Sequence, residues 1–218
     1  MNRGATDLLI GLGGSATNDG GAGMLTALGA RFNGIDGHRL APGGAALAHL
    51  HQIDPADLDP RLLYTRIRLA CDVTAPLLGS NGASTVFEPQ KDASAADVAR
   101  LESALARLVA VSCATFGRAI PTRAGAGAAG GLRFALLEYL GAEAQPGVQI
   151  IAETVELDQM IADTDWVFTG EGSVDAQTML GKTPFGVAKS DPQVNAMLRC
   201  AQLWSGRWRR QHRRRNPG

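Results

Sequence analysis

Residues 8–23, LLIGLGGSATNDGGAG, run a short aliphatic stretch straight into a loop with six glycines. An extended segment ending in glycine, with a helix opening a few residues later, is the strand–loop–helix unit of α/β proteins. Residues 8–12 read as the buried strand. Ala22, Met24, Leu25 and Leu28 give the helical stripe, with Gly29 placed to stop it and Asn18 or Asp19 placed to cap its start.

The same alternation continues along the chain. Residues 33–62 show little period and read as loops and short helical pieces. Residues 66–70 form a second strand, followed by Cys71 and Asp72, and Val86 and Phe87 read as a further short strand. Ser94 opens a helix whose face carries Val98, Leu101, Leu105, Leu108 and Ser112, with Asp97 in its first turn. A second glycine-rich loop, AGAGAAGG at 124–131, leads into a helix with Leu132, Leu136 and Tyr139 on one side, ended by Gly141. Residues 148–152 read as a strand, 155–161 as a short helix and 166–169 as a strand ending in GEGSVD. Strands alternating with helices predict an α/β protein with mostly parallel sheets, and ligands in such sheets gather at the carboxyl ends of strands.

The first glycine loop suits an anion. Glycines bring backbone N–H groups close to a ligand, a helix start adds more of them, and Ser15, Thr17 and Asn18 offer further donors. The plain alternative is a tight turn with nothing bound. Gly11 to Ala16 also fits the dinucleotide-binding pattern, yet the acid that should end the next strand is missing, since Asp36 lies in a loop-like context. AQTMLGKT ends like a P-loop, but Ala176 stands where the first glycine belongs. Asp72 and Glu171 each follow an apolar run, and Asp175 lies four residues beyond Glu171. Carboxylates there can hold Mg²⁺, orient a hydroxyl or take its proton, against the plain reading of turn and cap residues. Lys91 and Lys182 are candidate phosphate partners, against the plain reading of solvated surface charges.

Composition narrows the partners. Cys71, Cys113 and Cys200 have no metal or redox spacing and read as reduced thiols, and His38, His49, His51 and His212 form no ligand cluster. No stretch has the length of a transmembrane helix or the pattern of a signal peptide, so the expected setting is cytoplasmic. The zero net charge is uneven: residues 199–218 hold seven of the 21 basic residues and no acid, which leaves 14 basic against 21 acidic residues before them, a net of −7. An acidic body does not point to nucleic acid.

Several segments, in this order, resemble the bacterial glycerate kinases that lack a P-loop. They are GLGGSATNDGGAGMLTALGA (11–30), PQK (89–91), AGAGAAGG with LGAE (124–131 and 140–143), and TGEGSVDAQTMLGKTPFGVAK (169–189). The resemblance implies two α/β domains with the active site in the cleft between them. It implies transfer of the γ-phosphoryl of ATP to D-glycerate, giving phosphoglycerate (the 2-phosphate), with Mg²⁺. In that frame Gly13, Gly14, Ser15, Thr17 and Asn18 would cradle phosphate or the glycerate carboxylate, with Asp72, Lys91 and Lys182 as further substrate or phosphate contacts. Asp19 and Asp175 would be the catalytic carboxylates, and Glu171 and Asp175 the ligands of Mg²⁺. The implied partners are D-glycerate and ATP, with no nucleic acid and no membrane.

The chain departs from the family pattern at Glu88 and Asp92, where glycine is usual, and at Ser173, where arginine is usual. Glu88 and Asp92 put bulk and negative charge near a loop expected to face substrate. Family members also begin upstream, with a strand and an Asp-Ser-Phe-Lys motif, and continue past GVA, so the region at 1–189 is expected to be a partial copy of the fold. Residues 190–218 carry two of the three tryptophans and seven arginines and break the earlier periodicity; they read as a frameshifted segment, with a genuine basic tail as the rival. Two other functions stay open: an inactive or weakly binding remnant of the kinase, and a dinucleotide-dependent oxidoreductase resting on residues 11–16.

Overall fold

In a computed structural model, the described residues are 3–117, 121–162 and 164, with the backbone alone of 168–169 and 199–200. The aliphatic run after the N-terminus extends as β1 (Asp7–Gly11), and α1 (Ala22–Ala27) follows the first glycine loop. A small antiparallel hairpin comes next, β2 (Arg31–Asn33) and β3 (Gln52–Asp54), with Phe32 opposite Ile53. β4 (Arg66–Ala70) then lies parallel to β1, in register from Asp7 opposite Arg66 to Gly11 opposite Ala70. After α2 (Ala83–Phe87), α3 (Ala95–Phe116) and α4 (Leu132–Glu138), β5 (Glu143–Gln145) adds in parallel to the other side of β4. The sheet order is β1-β4-β5, and these elements belong to one unit, Met1–Gln145.

Burial decides how the central strand faces. Ile67 and Leu69 are buried, while Arg66 and Arg68 point the other way and pair with Glu143 at 2.7 Å and Asp7 at 3.2 Å. Exposed pairs of this kind contribute well under about 1 kcal/mol each. Burying an aliphatic side chain is worth about 2 kcal/mol, so the apolar face sets the orientation.

α3 is the spine of the unit. Ser94 accepts from the Asp97 N–H while the Asp97 carboxylate receives the Ser94 N–H and hydroxyl, a closed capping box that also holds the Asp97 carboxyl below its usual range. Gly117 ends the helix at φ 69°. Between these caps Leu105 and Leu108 are fully buried among Leu25, Leu47, Leu50 and Phe134.

The second unit, Pro146–Gly218, contains α5 (Gly147–Thr154), α6 (Leu157–Ile161) and a parallel pair, β6 (Phe168–Thr169) with β7 (Arg199–Cys200).

Several local expectations are corrected. Residues 148–152 are not a strand but part of α5: Val148, Ile151 and Val155 recur at helical spacing, and Gln149 donates to Glu153 one turn on at 3.0 Å. Val86 and Phe87 belong to α2, which the turn at 79–82 starts when Ala83 donates to the Leu77 carbonyl at 3.0 Å. The hairpin strands in the region read as loops are three residues each, too short to show an alternation. The parallel α/β character expected from the alternation holds.

Candidate functional site

Because β1 and β4 run in parallel, their carboxyl ends open on the same side of the sheet. Leu12 continues the ladder one step beyond β1, donating to the Ala70 carbonyl at 3.1 Å. That delivers Gly13, Gly14 and Ser15 to the sheet's edge, beside Val73 from the segment after β4. These residues line a cavity of about 290 Å³. Phe87, Gln90 and Lys91 close it from α2 and the helical turn after it, and Ala128, Ala129 and Gly130 close it from the second glycine loop. Ligands of open α/β sheets occupy this position.

The glycines divide into two kinds. A Cβ added at Gly13 or Gly14 would meet nothing within 4 Å, so these two face open space. Gly20, Gly21, Gly130 and Gly131 are different, because there a Cβ would run into the packed protein. At Gly130 it would lie 1.8 Å from the Thr17 carbonyl oxygen, at a φ of +61°. The two loops therefore meet backbone to backbone. Gly20 N–H donates to the Gly130 carbonyl at 2.9 Å, and the Thr17 hydroxyl to the Ala129 carbonyl at 3.2 Å. Among the described residues, the N–H groups of Gly13, Gly14 and Ser15 have no hydrogen-bond partner. All three belong to residues that line the cavity.

Lys91 completes this set. Its Nζ donates to the Glu88 carboxylate at 2.6 Å and to the Thr17 carbonyl at 3.2 Å. Glu88 is only 6% exposed. A buried carboxylate is tolerated only when paired, and Lys91 is its pair.

The structure brings Gly13, Gly14, Ser15 and Lys91 together. Thr17 braces the second loop and Lys91. Asn18 is buried, with its amide donating to the Ser84 hydroxyl at 3.1 Å and its Oδ1 left without a partner among the described residues. Asp72 is exposed beyond β4 and does not line the cavity. Glu171, Asp175, Lys182 and Ser173 lie outside the described residues.

Asp19 revises the expected anion site at the start of α1. Its two carboxylate oxygens accept the Gly21 and Gly23 N–H groups, each at 2.9 Å, and its carbonyl accepts from Ala22 at 3.1 Å. The anion at that helix end is the chain's own carboxylate, and the donors left for a ligand sit upstream, at residues 13–15. The capping role expected of Asn18 or Asp19 falls to Asp19.

Glu88 does not press its charge on the substrate loop, because its carboxylate is turned to Lys91. An acid three residues before a lysine was the sequence signal for this pair. Asp92, at φ 65°, takes the left-handed conformation that glycine favours and Asp tolerates, with its side chain exposed. Nothing in the sequence singled out Val73 or Phe87 for this cavity, whereas Gln90 lies in the PQK segment that carries the resemblance. A second, more open cavity of about 350 Å³ is lined in part by Asp36, His49, His51 and Arg107. There Arg107 is tied to the Leu50 carbonyl at 2.6 Å, and Asp36 closes its own turn onto the His38 N–H.

Among the described residues, no group of three or more His, Cys, Asp or Glu side chains is placed to hold a metal ion. No helix among them is long and apolar enough to cross a membrane.

Comparison with known proteins gives a consistent outcome. The sequence profile of the glycerate kinase family matches residues 1–209. A glycerate 2-kinase of Escherichia coli (strain K12) is 47% identical over 188 residues, 86% of this chain and 49% of that protein. A glycerate kinase of Bacillus subtilis (strain 168) is 46% identical over 190 residues, 87% of this chain and 50% of that protein. A crystal structure described as glycerate kinase 2 from Salmonella typhimurium LT2 superposes with a TM-score of 0.81 at 44% identity, covering 91% of this chain and 53% of that one. The chain thus spans about half the length of the curated relatives it matches.

Proposed function

Because the chain belongs to the glycerate kinase family, we propose that it takes part in transfer of the γ-phosphoryl group of ATP to D-glycerate, giving 2-phosphoglycerate. One observation carries this reading. Two glycine loops pack together so that a lysine and three residues whose N–H groups have no partner among the described residues line one cavity at the carboxyl end of a parallel sheet. Phosphoryl transfer asks a protein mainly for positioning and for stabilisation of negative charge, and such a set of fixed donors supplies both.

In this reading Gly13, Gly14, Ser15 and Lys91 hold an oxyanion of a substrate. Thr17 and Asn18 keep the loop in shape, Thr17 through Ala129 and Lys91, and Asn18 through Ser84. Asp19, fixed by two N–H donors, and Asp175 are the proposed proton acceptors for the attacking hydroxyl. Asp72 and Lys182 are proposed as further contacts to substrate or phosphate. Glu171 and Asp175 are the proposed ligands of Mg²⁺, which would supply charge neutralisation at the phosphates. The matching setting is the cytoplasm, acting on small molecules.

The test is ADP release from Mg-ATP by the purified chain, with and without D-glycerate. Release that depends on D-glycerate supports the kinase. A folded sample with none supports an inactive remnant.

A further inference from the structure

We infer that the cavity at residues 13–15 takes the carboxylate of the hydroxy-acid substrate rather than the polyphosphate of the nucleotide, and that Glu88 sets this choice. The inference rests on the glycerate kinase reading and assigns one of its two substrates to a place. Among the described residues that line the cavity Lys91 is the one charged side chain, and its counter-ion is built in. Glu88 lies 2.6 Å behind the ammonium and is 6% exposed, so the pair brings no net charge to the cavity.

Donor count points the same way. An ammonium has three N–H bonds; Glu88 takes one, the Thr17 carbonyl another, and one is left. The N–H groups of Gly13, Gly14 and Ser15, which have no partner among the described residues, and the Ser15 hydroxyl and Gln90 amide of the lining add to it, enough donors for both oxygens of one carboxylate. A ligand with a single charge draws its bonds from this set. The further charges of a polyphosphate would face a neutral ion pair and feel Glu88 at each step. Leu12, Val73 and Phe87 add apolar surface to the lining, which suits a short carbon skeleton.

The experiment is a backbone-amide NMR titration of the full 218-residue chain with D-glycerate and, separately, with metal-free tripolyphosphate. D-glycerate is expected to shift the Gly13, Gly14 and Ser15 amides, and tripolyphosphate is expected not to displace it. Lys91→Met should weaken D-glycerate on the order of tenfold or more, since it removes a charge-assisted bond. Glu88→Gln should strengthen tripolyphosphate at these same amides on the order of tenfold, because it leaves the cavity with a net positive charge. Tripolyphosphate shifting the same amides in the wild-type chain and competing with D-glycerate overturns the inference, whether or not Glu88→Gln folds. So does an unchanged ratio of the two affinities in folded Glu88→Gln. If D-glycerate binds at other residues, only this assignment fails; if it binds nowhere on the chain, the kinase reading fails with it.

Discussion

Replacing Gly130 by alanine should be among the most damaging single-methyl changes in the chain, while the same change at Gly13 should leave the fold intact. The added Cβ at Gly130 would sit 1.8 Å from the Thr17 carbonyl oxygen and 2.6 Å from the Asn18 Cα. Carbon and oxygen settle no closer than about 3.3 Å, so the two loops must part by about 1.5 Å. That separation breaks the Gly20–Gly130 hydrogen bond, worth about 1 kcal/mol. Alanine at a φ of +61° costs about another 1–2 kcal/mol. The expected loss is therefore about 2–3 kcal/mol before any repacking, a large share of the roughly 5–15 kcal/mol that holds a domain together. At Gly13 no atom lies within 4 Å of the new methyl, so stability should stay within about 0.5 kcal/mol. Gly13 lines the cavity, so a methyl there should lower D-glycerate binding. Urea denaturation followed by tryptophan fluorescence and circular dichroism, with binding measured by calorimetry, reads both outcomes. A Gly130→Ala chain as stable as wild type would refute the backbone packing of the loops. Unchanged binding in Gly13→Ala would refute the cradle.

Asp19→Asn should cost about 1 kcal/mol in urea unfolding, because an amide cannot accept both the Gly21 and Gly23 N–H groups with its two end atoms. A full-stability variant would sink the capping role. Ser94→Ala should cost about 1 kcal/mol by opening the capping box of α3. The Asp97 carboxyl titrates below its ordinary 3.8 in the folded chain, so its contribution is present above that pH and disappears as the solution becomes more acidic. Acid titration of Asp97→Asn should show a shallower fall in stability than wild type. Burial pushes the Tyr139 phenol up to about 12, against the opposing hydrogen bond with Ser112. Its stabilisation is complete below pH 10, the ordinary phenol value, and is lost as pH rises toward 12. The loss is of order 2–3 kcal/mol in all. Thermal melts above pH 10 should fall less steeply in Tyr139→Phe; an identical slope would contradict the burial argument.

The elements legible in the sequence are those whose pattern is long enough to repeat or whose ends are chemically marked. β4 was readable because its residues alternate toward a buried face, and α3 because Ser94 and Asp97 announce its start and Leu105 and Leu108 recur on one side. Residues 148–152 read as a strand because isoleucine and valine favour strands in isolation, while the helix they join buries Ile150 and leaves Ile151 and Val155 exposed, so no clean apolar stripe marks it. β2, β3 and β5 are held by partners distant in sequence, and three residues carry no period. At the site, the glycine loop and Lys91 were visible as composition. Which glycines face a ligand and which face another backbone depends on where the second loop lands, and no local pattern contains that. Glu88 was visible only as a departure, because its burial beside Lys91 is a tertiary fact.

The most direct test is a crystal structure of the chain with D-glycerate bound. The account predicts a substrate carboxylate oxygen within about 3 Å of the Gly13 and Gly14 nitrogens and of Lys91 Nζ, with Glu88 still paired to that lysine. D-glycerate seated away from residues 13–15, with Lys91 making no contact to it, would contradict the account.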